Sequence, residues 1–242
     1  LSASQQGDSW MPNMGSSSRK RPVQRMNSAR RQLEIVNAAF DCIAASGHLS
    51  LSTTELAYKV GISQPAIFRH FRSKQQLHRA ILEEANLRVI DELKLLIGRS
   101  EMWSDPINLL QDVIFQMGAS FERSPGVWLT LICQRSIAAE AELPMVEASG
   151  RGNKCAISQL TYTLERLFSA ARDKKQVSDL LKPQDISNIM LSILFGMGQL
   201  WLNDERSFDL QQRLGVALEG VLAGYQFLPD QPRSRMQISA IA

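Results

Sequence analysis

The strongest constraint on this chain lies between residues 52 and 74, where three serine-led helix starts follow one another with a single glycine break. Ser52-Thr53-Thr54-Glu55 has the form of a capping box: the Ser52 hydroxyl can accept from the Glu55 amide while the Glu55 carboxylate reaches back. The helix it opens turns Leu56, Ala57 and Val60 inward and ends at Gly61, which supplies the left-handed stop. Ser63 opens the next helix, with Pro65 in its first turn, where no internal N–H bond is lost, and with Ile67 and Phe71 inward. Ser73 opens a third, long helix marked by Leu77, Ile81, Ala85, Val89, Leu93 and Leu96. Two short helices on a tight glycine turn, bracketed by longer ones, form a helix-turn-helix.

Any helical hairpin shows that much. The exposed face of the second short helix separates it from the rest: Gln64, Pro65, Ala66, Phe68, Arg69 and His70 include no acid. A helix that reads base edges beside phosphates must present neutral or basic groups. The charge balance of the chain agrees. Residues 1–82 carry +7, the remainder −4, within a total of +3. A basic head on an acidic body suits a polyanion partner, although a solvated basic face has the same composition.

Outside this segment the pattern is helical throughout. A first helix from Arg30 carries Leu33, Val36, Phe40 and Ile43 and stops at Gly47. Ser104-Asp105-Pro106 opens a helix with Leu109, Leu110, Val113, Phe115, Met117 and Phe121, and Ser124-Pro125-Gly126 breaks it. Further helices run through Trp128, Leu131, Ile132 and Ile137, then through Ile157, Leu160, Leu164, Leu167 and Phe168. Lys182-Pro183 precedes an apolar helix over 186–202, and Asp209 opens a last one reaching about residue 226. No strand-like alternation of useful length and no internal repeat occurs. The expected fold is all-α: an N-terminal three-helix helix-turn-helix DNA-binding domain followed by a C-terminal helical bundle for ligand binding and dimerisation. The boundaries are a disordered basic arm over 1–27, the DNA-binding domain over 28–88, the regulatory and dimerisation domain over 89–227, and a flexible tail over 228–242.

Several function classes are disfavoured. Cys42, Cys133 and Cys155 are dispersed and odd in number, which suits buried thiols better than a disulfide framework or a zinc site. No glycine-rich phosphate loop, metal-ligand cluster or nucleophile elbow appears, so neither an enzyme nor a cofactor or metal is expected. The three histidines, His48, His70 and His78, all fall in the head. The first thirty residues lack the apolar core of a secretory signal. The apolar stretch 189–202 is interrupted by Ser192, Gly196, Gly198 and Gln199 and falls short of the about 20 residues that span a membrane. The expectation is a cytoplasmic, nucleoid-associated protein with no membrane partner.

The run Thr53-Thr54-Glu55-Leu56-Ala57, Val60-Gly61-Ile62-Ser63-Gln64-Pro65-Ala66-Ile67-Phe68-Arg69-His70-Phe71, Ser73-Lys74 and Leu77 closely resembles the N-terminal domain of tetracycline-repressor (TetR) family transcriptional regulators. It satisfies G-[VI]-S, then [LIF]-[YF]-x-[HY]-F, then S-K-x-x-L, with Phe68 where tyrosine is commoner. The likeness covers about 28–88; beyond it only the helical architecture agrees. The resemblance implies double-stranded DNA as partner. Gln64 would pair with an adenine edge, Pro65 would pack on a thymine methyl with Ala66 also at the DNA, and Phe68 would contact sugar or methyl groups without the usual hydroxyl. Arg69 would reach a guanine or a phosphate, and Thr53, Thr54, His70 and Lys74 would hold phosphates.

The resemblance also implies a homodimer through the last two helices and a small-molecule effector in the body. The 186–202 helix is apolar around most of its circumference, and the last helix carries Leu210, Leu214, Leu218, Val221, Leu222 and Tyr225 with Gly220 and Gly224. Burial within one chain would produce the same pattern. For the effector, Trp103, Met117, Phe121, Trp128, Gln134, Arg135 and Tyr162 can line an apolar pocket with a few polar groups, or serve as core. Two functions remain: a ligand-responsive repressor on a near-palindromic operator, or a nucleoid-occlusion-like protein that senses a protein partner instead.

Overall fold

The computed structural model describes residues 21–47, 51–98, 103–133, 155–178 and 182–225. Among these it is all-helical, in the order α1 (Arg21–Ser46), α2 (Thr53–Val60), α3 (Gln64–His70), α4 (Lys74–Ile97), α5 (Pro106–Arg123), α6 (Pro125–Ile132), α7 (Ala156–Asp173), α8 (Pro183–Asn203) and α9 (Leu210–Tyr225). The first helix begins at Arg21, inside the stretch expected to be an arm. Residues 1–20 and 226–242, and with them the rest of the arm and the expected tail, lie outside the described residues, as do Gln134, Arg135 and Ile137.

The local signals act largely as the chain implies. Ser52 Oγ accepts from the Glu55 amide at 3.3 Å, the first half of the expected capping box, while the Glu55 side chain is exposed. Gly61 sits at φ 72°, ψ 33°, and the Ile62 amide returns to the Ala57 carbonyl at 3.0 Å, closing α2 with a left-handed cap. Ser73 Oγ accepts from the Gln76 amide at 3.1 Å. Ser63 departs from expectation: its hydroxyl makes no cap bond, and its backbone carbonyl accepts from the Ala66 amide at 2.8 Å.

Inward faces differ at two positions. Leu33 is 45% exposed, because Ile35, Ala39 and Cys42 join Val36, Phe40 and Ile43 and turn the buried face of α1 away from it. Phe115 is likewise exposed, while its neighbour Ile114 is buried.

Helix α6 is buried all round, from Pro125 to Leu131, and packs against α1, α4 and α5. Its approach to α1 leaves no room for a side chain: a methyl group on Gly126 would stand 1.9 Å from the Phe40 carbonyl oxygen. Helix α4 runs from the head into the body and is tied on both sides. The Arg88 guanidinium lies 5.0 Å from the centroid of the Phe40 ring and donates to Asn37 Oδ1 at 2.5 Å, holding α1. Asn86 is buried; its Nδ2 donates to the Leu82 carbonyl, and its Oδ1 accepts the Ala156 amide at 2.7 Å. Because Cys155 offers α7 no side-chain cap, Asn86 caps that helix from across the fold. Glu122 of α5 does the same for α9, accepting from the Leu210 amide at 3.2 Å and from Gln211 Nε2 at 2.9 Å.

Asn86→Leu leaves the Ala156 N–H buried without an acceptor, so it should lower stability by about 1–3 kcal/mol in urea unfolding. Hydrogen exchange at the Ala156 amide should accelerate with it, and unchanged exchange would show that Asn86 does not cap α7. Gly126→Ala should cost about 1–3 kcal/mol through forced separation of α1 and α6; an unchanged urea midpoint would mean that the two backbones do not meet.

Candidate nucleic-acid interface

Helices α2 and α3 carry the expected contact residues, except Lys74, which opens α4. Leu56, Ala57, Ile67 and Phe71 are buried beneath them and fix the angle between the two helices. The Gln32 side chain of α1 donates to the His70 carbonyl at 2.7 Å, which clasps the C-terminal end of α3 onto α1. The Arg72 amide then donates to Gln76 Oε1 at 2.6 Å, and α4 begins at Lys74.

With the interior occupied, the polar groups face outward. Thr54, Gln64, Pro65, Phe68, Arg69 and Lys74 are exposed, while Thr53, Ala66 and His70 are half-buried. The structure thus brings all nine expected contact residues onto the outer side of α2, α3 and the start of α4. Phe68 is 38% exposed, and Ile67 rather than Phe68 fills the core beneath α3. Gln64 Nε2 donates to Thr53 Oγ1 at 2.7 Å, linking the first residues of the two short helices.

The electrostatics divide the head. Arg30 and Arg31 pair with Glu34, and Lys59 pairs with Asp41, so these cations are partly neutralised. Among the described residues no ion pair engages Arg69, Arg72 or Lys74. Two exposed side chains beside this surface were not among the expected contacts. Tyr58 on α2 is 88% exposed, and Arg72 lies between α3 and α4. The sequence signal for Tyr58 was its place between the inward positions Leu56, Ala57 and Val60, which forces the ring outward.

The described residues considered for an effector pocket divide between the buried body and a surface cleft. Met117, Phe121 and Trp128 are wholly buried in the body. Phe121 and Trp128 stack with ring centroids 5.9 Å apart, Trp201 meets Phe121 edge-on at 6.5 Å, and Trp128 Nε1 donates to Ser120 Oγ at 3.2 Å. A methyl on Gly198 would come within 2.5 Å of the Phe121 ring, so the cluster is tightly filled. Trp103 instead lines an open surface cleft with Arg166, Asp173 and Gln184. The Arg166 guanidinium lies over the Trp103 ring at 5.1 Å and over the exposed Tyr162 ring at 5.9 Å.

Among the described residues no disulfide joins Cys42, Cys133 or Cys155. Cys42 and Cys155 are buried, and burial pushes the Cys42 and Cys133 thiols above their ordinary value. Among the described residues no group of three or more His, Cys, Asp and Glu could hold a metal ion. None of the described helices is long and apolar enough to cross a membrane.

Comparison with known proteins agrees with this geometry. Over 98 residues the chain is 28% identical to the nucleoid occlusion factor SlmA of Salmonella dublin, covering 40% of this chain and 48% of that protein. The chain therefore spans about half the length of the curated relatives it matches. Among solved structures, one described as the molecular basis for control of antibiotic production by bacterial hormones has a TM-score of 0.62 at 22% identity, covering 82% of this chain and 98% of that one. NalD of Pseudomonas aeruginosa, the secondary repressor of the MexAB-OprM multidrug efflux pump, has a TM-score of 0.57 at 22% identity, covering 83% and 97%. These likenesses establish the fold, head and body together. Residues 35–81, which hold α2, α3 and most of the surface just described, match the family model of the bacterial regulatory proteins of the tetR family.

Proposed function

We propose that the chain is a sequence-specific DNA-binding regulator, a homodimeric, ligand-responsive repressor acting on a near-palindromic operator in the cytoplasm. The observation that carries this reading is the outer face of α3 and the start of α4: no acid on α3, an outward Gln64, and Arg69 and Lys74 without ion-pair partners among the described residues. Neutral and basic groups at this spacing suit base edges flanked by phosphates. Thr53, Thr54, His70 and Lys74 take the phosphates; Gln64, Pro65, Ala66, Phe68 and Arg69 face the groove.

A second copy of the chain is supported by what α8 and α9 leave uncovered. Leu200 is 58% exposed and Val216 67% exposed. Small residues stand beside them: Ser192 and Gly196 on α8, Gly220 on α9, with open space around both glycines. Rows of small residues allow two helices to approach closely, and a twofold pairing here would set two α3 helices in successive major grooves.

An effector taken up between α5, α6, α7 and α8 must part the Phe121–Trp128 stack to make room, which would shift α6 and with it α1 and α4. Differential binding to the two arrangements then lowers DNA affinity. The likeness to a nucleoid occlusion factor favours a second reading, in which the body holds a protein partner and no small molecule. Sequencing of genomic fragments retained by the purified chain separates the two. One or a few inverted repeats beside the chain's own gene support the repressor; dozens of dispersed sites support the second reading; retention of fragments without any shared sequence would sink both.

Gln64→Ala should cost about 1–3 kcal/mol on the preferred duplex and relax choice at one base position. Lys74→Ala should weaken all duplexes alike and reduce the salt slope by about one unit. Titrations at several salt concentrations distinguish them, and a uniform loss for Gln64→Ala would remove that residue from base readout. In sedimentation, the chain should run at twice its own mass, and Leu200→Arg should run as a single chain. A Leu200→Arg variant that remains paired would place the contact elsewhere.

A further inference from the structure

We propose that Thr53 is a positioning residue that fixes the Gln64 amide in the orientation that selects adenine; the proposal rests on the DNA-binding reading above. Thr53 had been expected to touch only a phosphate. Its hydroxyl oxygen instead accepts from Gln64 Nε2 at 2.7 Å.

A glutamine on an exposed surface has three soft torsions and presents its donor and acceptor in many directions. Gln64 is exposed at the first position of α3, so nothing beneath it restricts its amide. Thr53 supplies that restriction from a stationary point. It is the first residue of α2, next to the Ser52 cap, and is half-buried, with a β-branched side chain that is stiff at χ1. The Gly61 turn, closed by the Ile62 amide on the Ala57 carbonyl, keeps α2 and α3 in fixed register, so the Thr53 acceptor does not drift from Gln64.

The bond also decides what the amide can still offer. Its nitrogen carries two hydrogens, of which Thr53 takes one, leaving one donor beside the Oε1 acceptor. Adenine presents one acceptor and one donor in the major groove, N7 and the N6 amino group, and so matches that pair. Guanine presents two acceptors there and does not. The Thr53 hydroxyl proton stays free to reach a phosphate oxygen, because a hydroxyl both donates and accepts. One side chain would then tie backbone contact to base choice.

The test is enrichment from a random-sequence duplex library, read for the full chain and for Thr53→Val, Thr53→Ser and Gln64→Ala. Wild type should prefer adenine at one position of each half-site by roughly tenfold or more, and Gln64→Ala should lose that preference. Thr53→Val keeps the shape and removes the acceptor; it should reduce the preference at that same position to about twofold, leaving other positions unchanged, while Thr53→Ser retains it. An unchanged thermal midpoint for Thr53→Val confirms that the head is folded. A Thr53→Val profile identical to wild type, or flattened at every position alike, overturns the positioning role. A wild-type chain that enriches no sequence overturns the DNA-binding reading itself, a separate and recognisable outcome.

Discussion

The meeting of the α1 and α6 backbones governs how head and body are joined. At Gly126 the approach is so close that no Cβ fits against the Phe40 carbonyl. Helix α6 has no solvent face along Pro125–Leu131, so it can shift only if its neighbours shift too. Those neighbours include α1 and α4, which flank the two short helices of the head. Arg88 then fastens α4 to α1, and Asn86 fastens α4 to the N-terminus of α7. On the proposed reading, a rearrangement of the body around Phe121 and Trp128 would reach the head as a movement of packed helices, since close-packed interiors transmit strain.

The head itself works by contrast between neutralised and unneutralised charge. Arg30, Arg31 and Lys59 are occupied by Glu34 and Asp41 on the α1 and α2 side. Among the described residues Arg69, Arg72 and Lys74 have no such partner, and they lie on or just after the acid-free α3. On the proposed reading, phosphates would meet those groups without first displacing a carboxylate. The neutral residues Gln64, Pro65 and Ala66, at the start of α3, are those the proposal sets against base edges.

Local chemistry was legible in the chain, and distant pairing was not. The Ser52 and Ser73 caps, the Gly61 turn and the outward face of α3 each depend on residues within a few positions of one another. Asn86 on Ala156 and Glu122 on Leu210 join residues far apart in sequence, and nothing in a periodic pattern announces them. Leu33 was misplaced because a 3-4-3 spacing is satisfied by more than one stripe, and Ile35 with Ala39 and Cys42 decided which stripe is buried. The aromatic residues of the body carry the same sequence signal as pocket lining or as core. Here Phe121 and Trp128 fill space, while Trp103 and Tyr162 stand at a surface cleft beside Arg166.

The central claim is that α3 reads sequence rather than merely charge. The most direct measurement is a fluorescence-anisotropy titration of the chain on its enriched duplex and on a shuffled duplex of equal length and composition, at one fixed salt concentration. Base readout predicts an affinity for the enriched duplex about a thousandfold or more above that for the shuffled one. Equal affinities for the two would contradict the account, because charge neutralisation alone is indifferent to sequence.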